Sequence, residues 1–206
     1  MTDTFGSEPD PLLVLARRGN EAALGELLER YRNYLRLLIR IQIGGRLRRK
    51  VDPSDVVQEV FLDARRGFVG FRGVTEAEVV QWLRRIAAAA IARQVRHYAG
   101  TRQRDVALER TLEDELARSS CALDRGLIAV ESSPSRQAAR REEAVLVADA
   151  LAKLPEHYRE VIVLRHLEGL SPGEVARQMG RSADSVRKLW ARALVQLRHI
   201  LGGHRG

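Results

Sequence analysis

The chain has one cysteine, Cys121, in 206 residues. That excludes an internal disulfide framework and any metal site built from several cysteines, and it suits a reducing cytosol. No apolar run reaches the roughly 18 residues of a membrane-spanning helix, so no membrane partner is expected. The leading segment MTDTFGSEPDP is acidic and lacks the apolar core of a signal peptide. No internal repeat of fixed period is present. Cys121 could in principle pair with His97, His157, His166, His199 or His204 as a nucleophile and base. Those histidines carry no accompanying acid signal, however, and no enzyme, cofactor or metal is expected.

What is present is positive charge. Net charge is +8, with 35 Lys and Arg against 27 Asp and Glu. Such a balance favours a polyanionic partner, nucleic acid above all. The charge comes in blocks. Residues 12–104 hold 19 cations against 9 acids, residues 105–135 hold 3 against 7, and residues 136–206 hold 13 against 8. Two basic blocks flank an acidic one, the layout of two modules and a linker.

The first block reads as helices. A short one from Pro11 ends at Gly19, and Asn20 caps a long one that should stop near Gly44-Gly45. The cations of Arg46 to Lys50 form a loop after it. Asp52-Pro53 opens the next, with Val56, Val57, Val60, Phe61 and Ala64 as its buried side. Asp55, Glu59 and Asp63 share its opposite face, where stacked like charges are mildly unfavourable. That face suits either a basic protein partner or solvent. Phe68 to Gly73 form a loop. Thr75 and Glu78 make a capping box for a helix to Tyr98, which mixes Trp82, Tyr98 and His97 with Arg84, Arg85, Arg93 and Arg96. Cations interleaved with aromatics suit single-stranded nucleic acid. The same residues also suit a core tryptophan with solvated arginines.

Residues 101–140 lose sustained periodicity and read as a linker, with at most a short helix near Asp105 to Arg118. From Arg141 a helix runs to Lys153. Pro155 starts another, with Val161, Ile162, Leu164 and Leu167 as its core. Then SPGEVARQMGRSADSVRKLWARALVQLRHIL reads as two helices with a glycine joint. Ser171 and Glu174 cap the first, Gly180 ends it, and Ser182 caps the second. Val186, Leu189, Trp190, Ala193, Leu194 and Leu197 form an apolar stripe, and Arg181, Ser182, Ser185, Arg187, Lys188 and Arg192 lie off it. This is a helix-turn-helix pattern whose second helix fits a major groove; an αα-hairpin with a solvated basic face has the same spacing. The expected fold is all-α: a disordered 1–10, a first helical domain at 11–100, the linker at 101–140, a second domain at 141–201, and a tail at 202–206.

Two stretches together carry a resemblance. DPSDVVQEVFLDA resembles the most characteristic part of region 2 of sigma-70 family initiation factors, and LPEHYREVIVLRHLEGLSPGEVARQMGRSADSVRKLWARALVQLR resembles their region 4. The short length is similar to the extracytoplasmic-function group. The resemblance implies a cytoplasmic factor that binds core RNA polymerase and promoter DNA, commonly sequestered by an anti-sigma factor. It implies polymerase contacts from Asp55, Gln58 and Glu59. It implies contacts to the minus-10 element from Phe71, Arg72, Trp82, Arg84, Arg85, Arg93 and Arg96, and readout of the minus-35 element by Arg181, Ser182, Ser185, Arg187, Lys188 and Arg192. Many members have asparagine where this chain reads Ala87 to Ala90. Alanine cannot hydrogen-bond a flipped base, so the loop residues Phe71 and Arg72 are expected to carry more of that contact. A helix-turn-helix regulator acting without polymerase is the alternative reading.

Overall fold

The computed structural model describes residues 10–47, 51–99, 111, 114 and 137–202. The chain divides into two units, Met1–Leu116 and Ala117–Gly206. Every regular element among the described residues is helical. The N-terminal segment, Cys121, nearly all of the expected linker and the last residues lie outside them.

In the first unit, α1 (Pro11–Arg17) starts on Asp10, whose carboxylate accepts from the Leu12 N–H at 2.9 Å. Asn20 caps α2 (Glu21–Arg30) by accepting from Ala23 N–H. The long helix expected here is in fact two. The chain turns at Tyr31, and α3 (Arg32–Leu47) follows. The turn brings both Tyr31 and Tyr34 inside, at 0% and 1% exposure. The Tyr31 hydroxyl donates to Glu76 at 2.9 Å, tying the break to the start of α5 (Glu76–Ala99). α3 also runs through Gly44-Gly45 rather than stopping there. Both glycines fall in the last turn of α3, where each costs less than the about 1 kcal/mol of a helix interior, and burial of Ile43 immediately before them acts in the other direction.

α4 (Pro53–Gly67) begins on Asp52, whose carboxylate accepts from Ser54 N–H at 2.7 Å. It buries Val56, Val57, Val60 and Ala64 against α3 and α5. Phe61, expected among them, is only half-buried and lies under the Arg32 guanidinium, 4.9 Å from its carbon to the ring centre. On α5, Ala87, Ala88 and Ala90 are buried. The alanine run that departs from the family pattern forms part of the core of the unit.

In the second unit, α6 (Gln137–Lys153) ends on carbonyls that Arg159 closes. Its guanidinium donates to Leu151, Ala152 and Leu154 at 3.1, 3.3 and 3.0 Å. α7 (Glu156–Ile162) does not continue as an α-helix. It widens into a π-turn over Val163–Leu167, closed by the Glu168 N–H on the Val163 carbonyl at 3.0 Å. The wider turn changes which residues face inward: Val163 and Leu164 are buried, whereas Leu167, expected in the core, is half-buried. π-turns of this kind recur at functional positions. α8 (Pro172–Met179) and α9 (Ala183–Gly202) complete the unit, and α9 packs on α6, α7 and α8.

Candidate nucleic-acid and partner interfaces

The acidic face of α4 is partly answered from within the chain. Arg93 of α5 donates through Nε to Glu59 at 2.7 Å and through Nη2 to Asp63 at 2.5 Å. Gln94 adds a bond to the second Glu59 oxygen at 3.2 Å. Glu59 and Arg93, expected from the family pattern to meet different partners, are bound to each other. The unfavourable stacking of carboxylates on α4 is thereby relieved, with no second protein needed. Asp55 and Gln58 remain exposed, and Leu62, one turn beyond Gln58, is 54% exposed. Sequence reasoning did not single out Leu62; an apolar residue outside the buried side of α4 was its signal.

The loop between α4 and α5 is built around three rings. Phe68 begins a short 3-10 turn (Phe68–Gly70). Its ring centre lies 5.9 Å from Phe71 and 6.0 Å from Trp82, and Phe71 lies 4.8 Å from Trp82. Phe71 is therefore a buried residue of this loop, its ring packed on Phe68 and Trp82. An apolar ring beside two others loses less by turning inward than by meeting water. Gly73 makes this closure possible. A β-carbon there would sit 2.2 Å from the Phe71 ring and 2.8 Å from the Glu78 β-carbon. The expected capping box is present: Glu78 N–H donates to the Thr75 hydroxyl at 3.3 Å, and Thr75 N–H donates back to the Glu78 carboxylate at 2.9 Å. These bonds, the Val74 N–H first, hold the Glu78 carboxyl below its usual range. What the loop offers outward is Val69 at 85% exposure, Arg72 and Val74. On α5, Arg85 is exposed, Trp82 and Arg96 are half-buried, and the half-buried Arg84 keeps its Nε without a hydrogen-bond partner.

The helix-turn-helix forms as its sequence dictates. Glu174 N–H donates to the Ser171 hydroxyl at 3.3 Å, and Ser171 N–H donates to the Glu174 carboxylate at 2.8 Å. Gly180 takes the left-handed conformation at φ 63°, ψ 36°. The Arg181 N–H then reaches the Ala176 carbonyl at 2.9 Å, closing α8. Ser182 accepts from Ser185 N–H at 3.2 Å and starts α9. Val186, Leu189, Ala193 and Leu197 are buried. Arg181, Ser182, Arg187, Lys188 and Arg192 are exposed, and Ser185 is half-exposed. Asp184 holds Lys188 at 2.8 Å and lies 4.0 Å from Arg187. Exposed pairs of this kind contribute little, so both cations can be redirected to phosphate. Trp190 is half-buried. It donates through Nε1 to His166 Nε2 at 3.0 Å and stacks on that ring at 5.5 Å.

No helix among the described residues is long and apolar enough to cross a membrane. No group of three or more His, Cys, Asp or Glu among them is placed to hold a metal ion.

Two capped helices, a left-handed glycine between them and a cationic outer face on the second define a helix-turn-helix protein. Residues 144–197 match the family described as Sigma-70, region 4. The ECF RNA polymerase sigma-E factor of Haemophilus influenzae is 32% identical over 186 residues, spanning 88% of this chain and 89% of that protein. The RNA polymerase sigma factor CnrH of Cupriavidus metallidurans is 31% identical over 190 residues, 92% of each chain. The solved structure of CnrH in complex with the cytosolic domain of CnrY covers 93% of this chain and 96% of that one, at 27% identity and a TM-score of 0.32. The chain belongs to the ECF sigma factors of the sigma-70 family.

Proposed function

We propose that this chain is a cytoplasmic sigma initiation factor that binds core RNA polymerase, directs it to promoters and has no chemistry of its own. The observation that carries this reading is the cationic helix-turn-helix within a chain that matches sigma factors over most of its length. In this reading Asp55, Gln58 and Leu62 meet the polymerase, with Glu59 shared between the polymerase and Arg93. Arg72, Arg84, Arg85 and Arg96 neutralise strand phosphates near the minus-10 element while Trp82 supports the loop. α9 enters the major groove of the minus-35 element. There Arg181, Ser185, Arg187, Lys188 and Arg192 contact the duplex, and the four cations among them neutralise phosphate charge. Ser182 caps the helix and leaves its N-terminal N–H groups facing the backbone. An anti-sigma factor is a further partner in this proposal, since members of the group are commonly sequestered.

Run-off transcription with core polymerase on genomic fragments tests the proposal, followed by footprinting with and without core. The expected result is specific transcripts and a stable footprint that requires core enzyme. A stable footprint by the chain alone, with no transcripts, would instead identify a regulator that works without polymerase.

A further inference from the structure

α9 is held to the rest of its unit by an aliphatic stripe and by a directional contact from Trp190 to His166. Apolar contacts fix which face is buried but tolerate small rotations, because they are non-directional. A hydrogen bond between ring groups does not. The Trp190 Nε1–H to His166 Nε2 bond is 3.0 Å, and the two rings are 29° from parallel. The Arg165 guanidinium lies 5.9 Å from the Trp190 ring and donates to the Leu170 carbonyl at 2.5 Å. His166 and Arg165 both stand on the π-turn, so the widened turn is what delivers them to Trp190. Trp190 lies one turn beyond Arg187 and two residues before Arg192, among the side chains proposed to touch DNA.

We propose that His166 is a positioning residue for duplex readout: through Trp190, its neutral imidazole fixes the rotation of α9 and aims the outward cations. The inference rests on the minus-35 reading above. Site contacts must be held to within about 10–20° to be productive, and the stripe alone does not set so narrow a range. The chemistry also fixes the protonation state. An indole N–H can only donate, so His166 Nε2 must carry its lone pair, with the ring proton on Nδ1. Burial first, and then the charge of Arg165, hold the imidazole below its ordinary range. Of the charged groups on the neighbouring elements, Arg159 of α7 is on the α6 carbonyls, Glu174 of α8 is on Ser171, Arg177 of α8 is exposed, Lys188 of α9 is on Asp184, and Glu168, just beyond the π-turn, is half-buried and partnered. Glu160 of α7 is half-buried and partnered. Protonating His166 removes the acceptor and places a second cation beside Arg165, so the ring-to-ring bond holds at neutral pH and breaks under acid.

Two measurements on the full chain test this. In a Trp82→Phe protein, Trp190 is the only tryptophan. Its emission is expected to change in one step as pH drops below the ordinary imidazole range, because protonation removes the acceptor from the indole N–H and breaks the bond. His166→Gln keeps an acceptor but cannot titrate, so it should abolish the step. A step that survives His166→Gln, or no step in the parent, overturns the contact. The second measurement uses holoenzyme and a duplex cut from the upstream half of a promoter chosen by run-off transcription. His166→Leu and Trp190→Phe should each weaken binding about three- to tenfold. The double variant should be no worse than either single one, and His166→Gln should restore most of the affinity. If Arg187→Ala with Lys188→Ala weakens binding but His166→Leu does not, the positioning role is refuted. If neither change matters, the minus-35 reading itself has failed.

Discussion

Glu59 and Asp55 lie on the same face of α4, yet reversing their charges should have different consequences. Glu59→Lys removes the 2.7 Å bond to Arg93 and the 3.2 Å bond to Gln94, and sets an ammonium against a guanidinium. The side chains are 39% exposed at Arg93 and 30% at Glu59, so solvent screens the pair. Losing it is worth about 0.5–1 kcal/mol, and the new repulsion adds a similar amount, for about 1–2 kcal/mol in all. In a unit of this size each kcal/mol lowers the melting temperature by about 4–8 °C. The expected fall is therefore on the order of 5–15 °C. Asp55→Lys, at an exposed site, should move it by less than a quarter of that. Thermal unfolding of the full chain in a Trp190→Phe background, followed by Trp82 emission, isolates the first unit. The gap between the variants should narrow in 1 M salt, where the Debye length is about 3 Å. Equal midpoints for the two variants would refute the reasoning, because Arg93 would then contribute nothing through Glu59. In a pull-down with core polymerase, Asp55→Lys and Gln58→Ala should lose binding without loss of stability. Undiminished capture by both would remove α4 from the polymerase interface.

Gly73→Ala should open the aromatic cluster, since its β-carbon would overlap the Phe71 ring. A destabilisation of about 1–3 kcal/mol and a shifted Trp82 emission are expected in a denaturant melt. Gly180→Ala meets no neighbouring atom, so it should carry only the left-handed backbone penalty of about 1–2 kcal/mol, read from unfolding of the second unit by circular dichroism. Arg187→Ala with Lys188→Ala should lower the salt slope of duplex binding by about 2, one for each cation withdrawn from the phosphates. An unchanged slope would leave both as solvated cations. Arg159→Ala should loosen the end of α6, seen as faster amide exchange at Leu154 and after it.

The features read correctly from sequence are those in which a few neighbouring residues settle the outcome. Asp52 before Pro53, Thr75 with Glu78, Ser171 with Glu174 and Gly180 each satisfy or terminate backbone groups within four residues. The features missed depend on partners far along the chain. Arg93 lies 34 residues from Glu59 and 30 from Asp63, and Tyr31 lies 45 from Glu76. Phe71 looked available because nothing local shows that Phe68 and Trp82 enclose it. His166 gave no signal either, since only the π-turn carries it to Trp190.

The order of helices, the caps, the glycine joint and the cationic residues of α9 were all determined by local backbone chemistry and periodicity, which a linear string contains. Which charges are already paired, which aromatic rings are withdrawn from solvent, and what sets the rotation of α9 were decided only by tertiary packing. Those outcomes depend on side chains meeting across helices. A meeting of that kind is governed by the summed burial and geometry of the whole unit, not by any one segment of it.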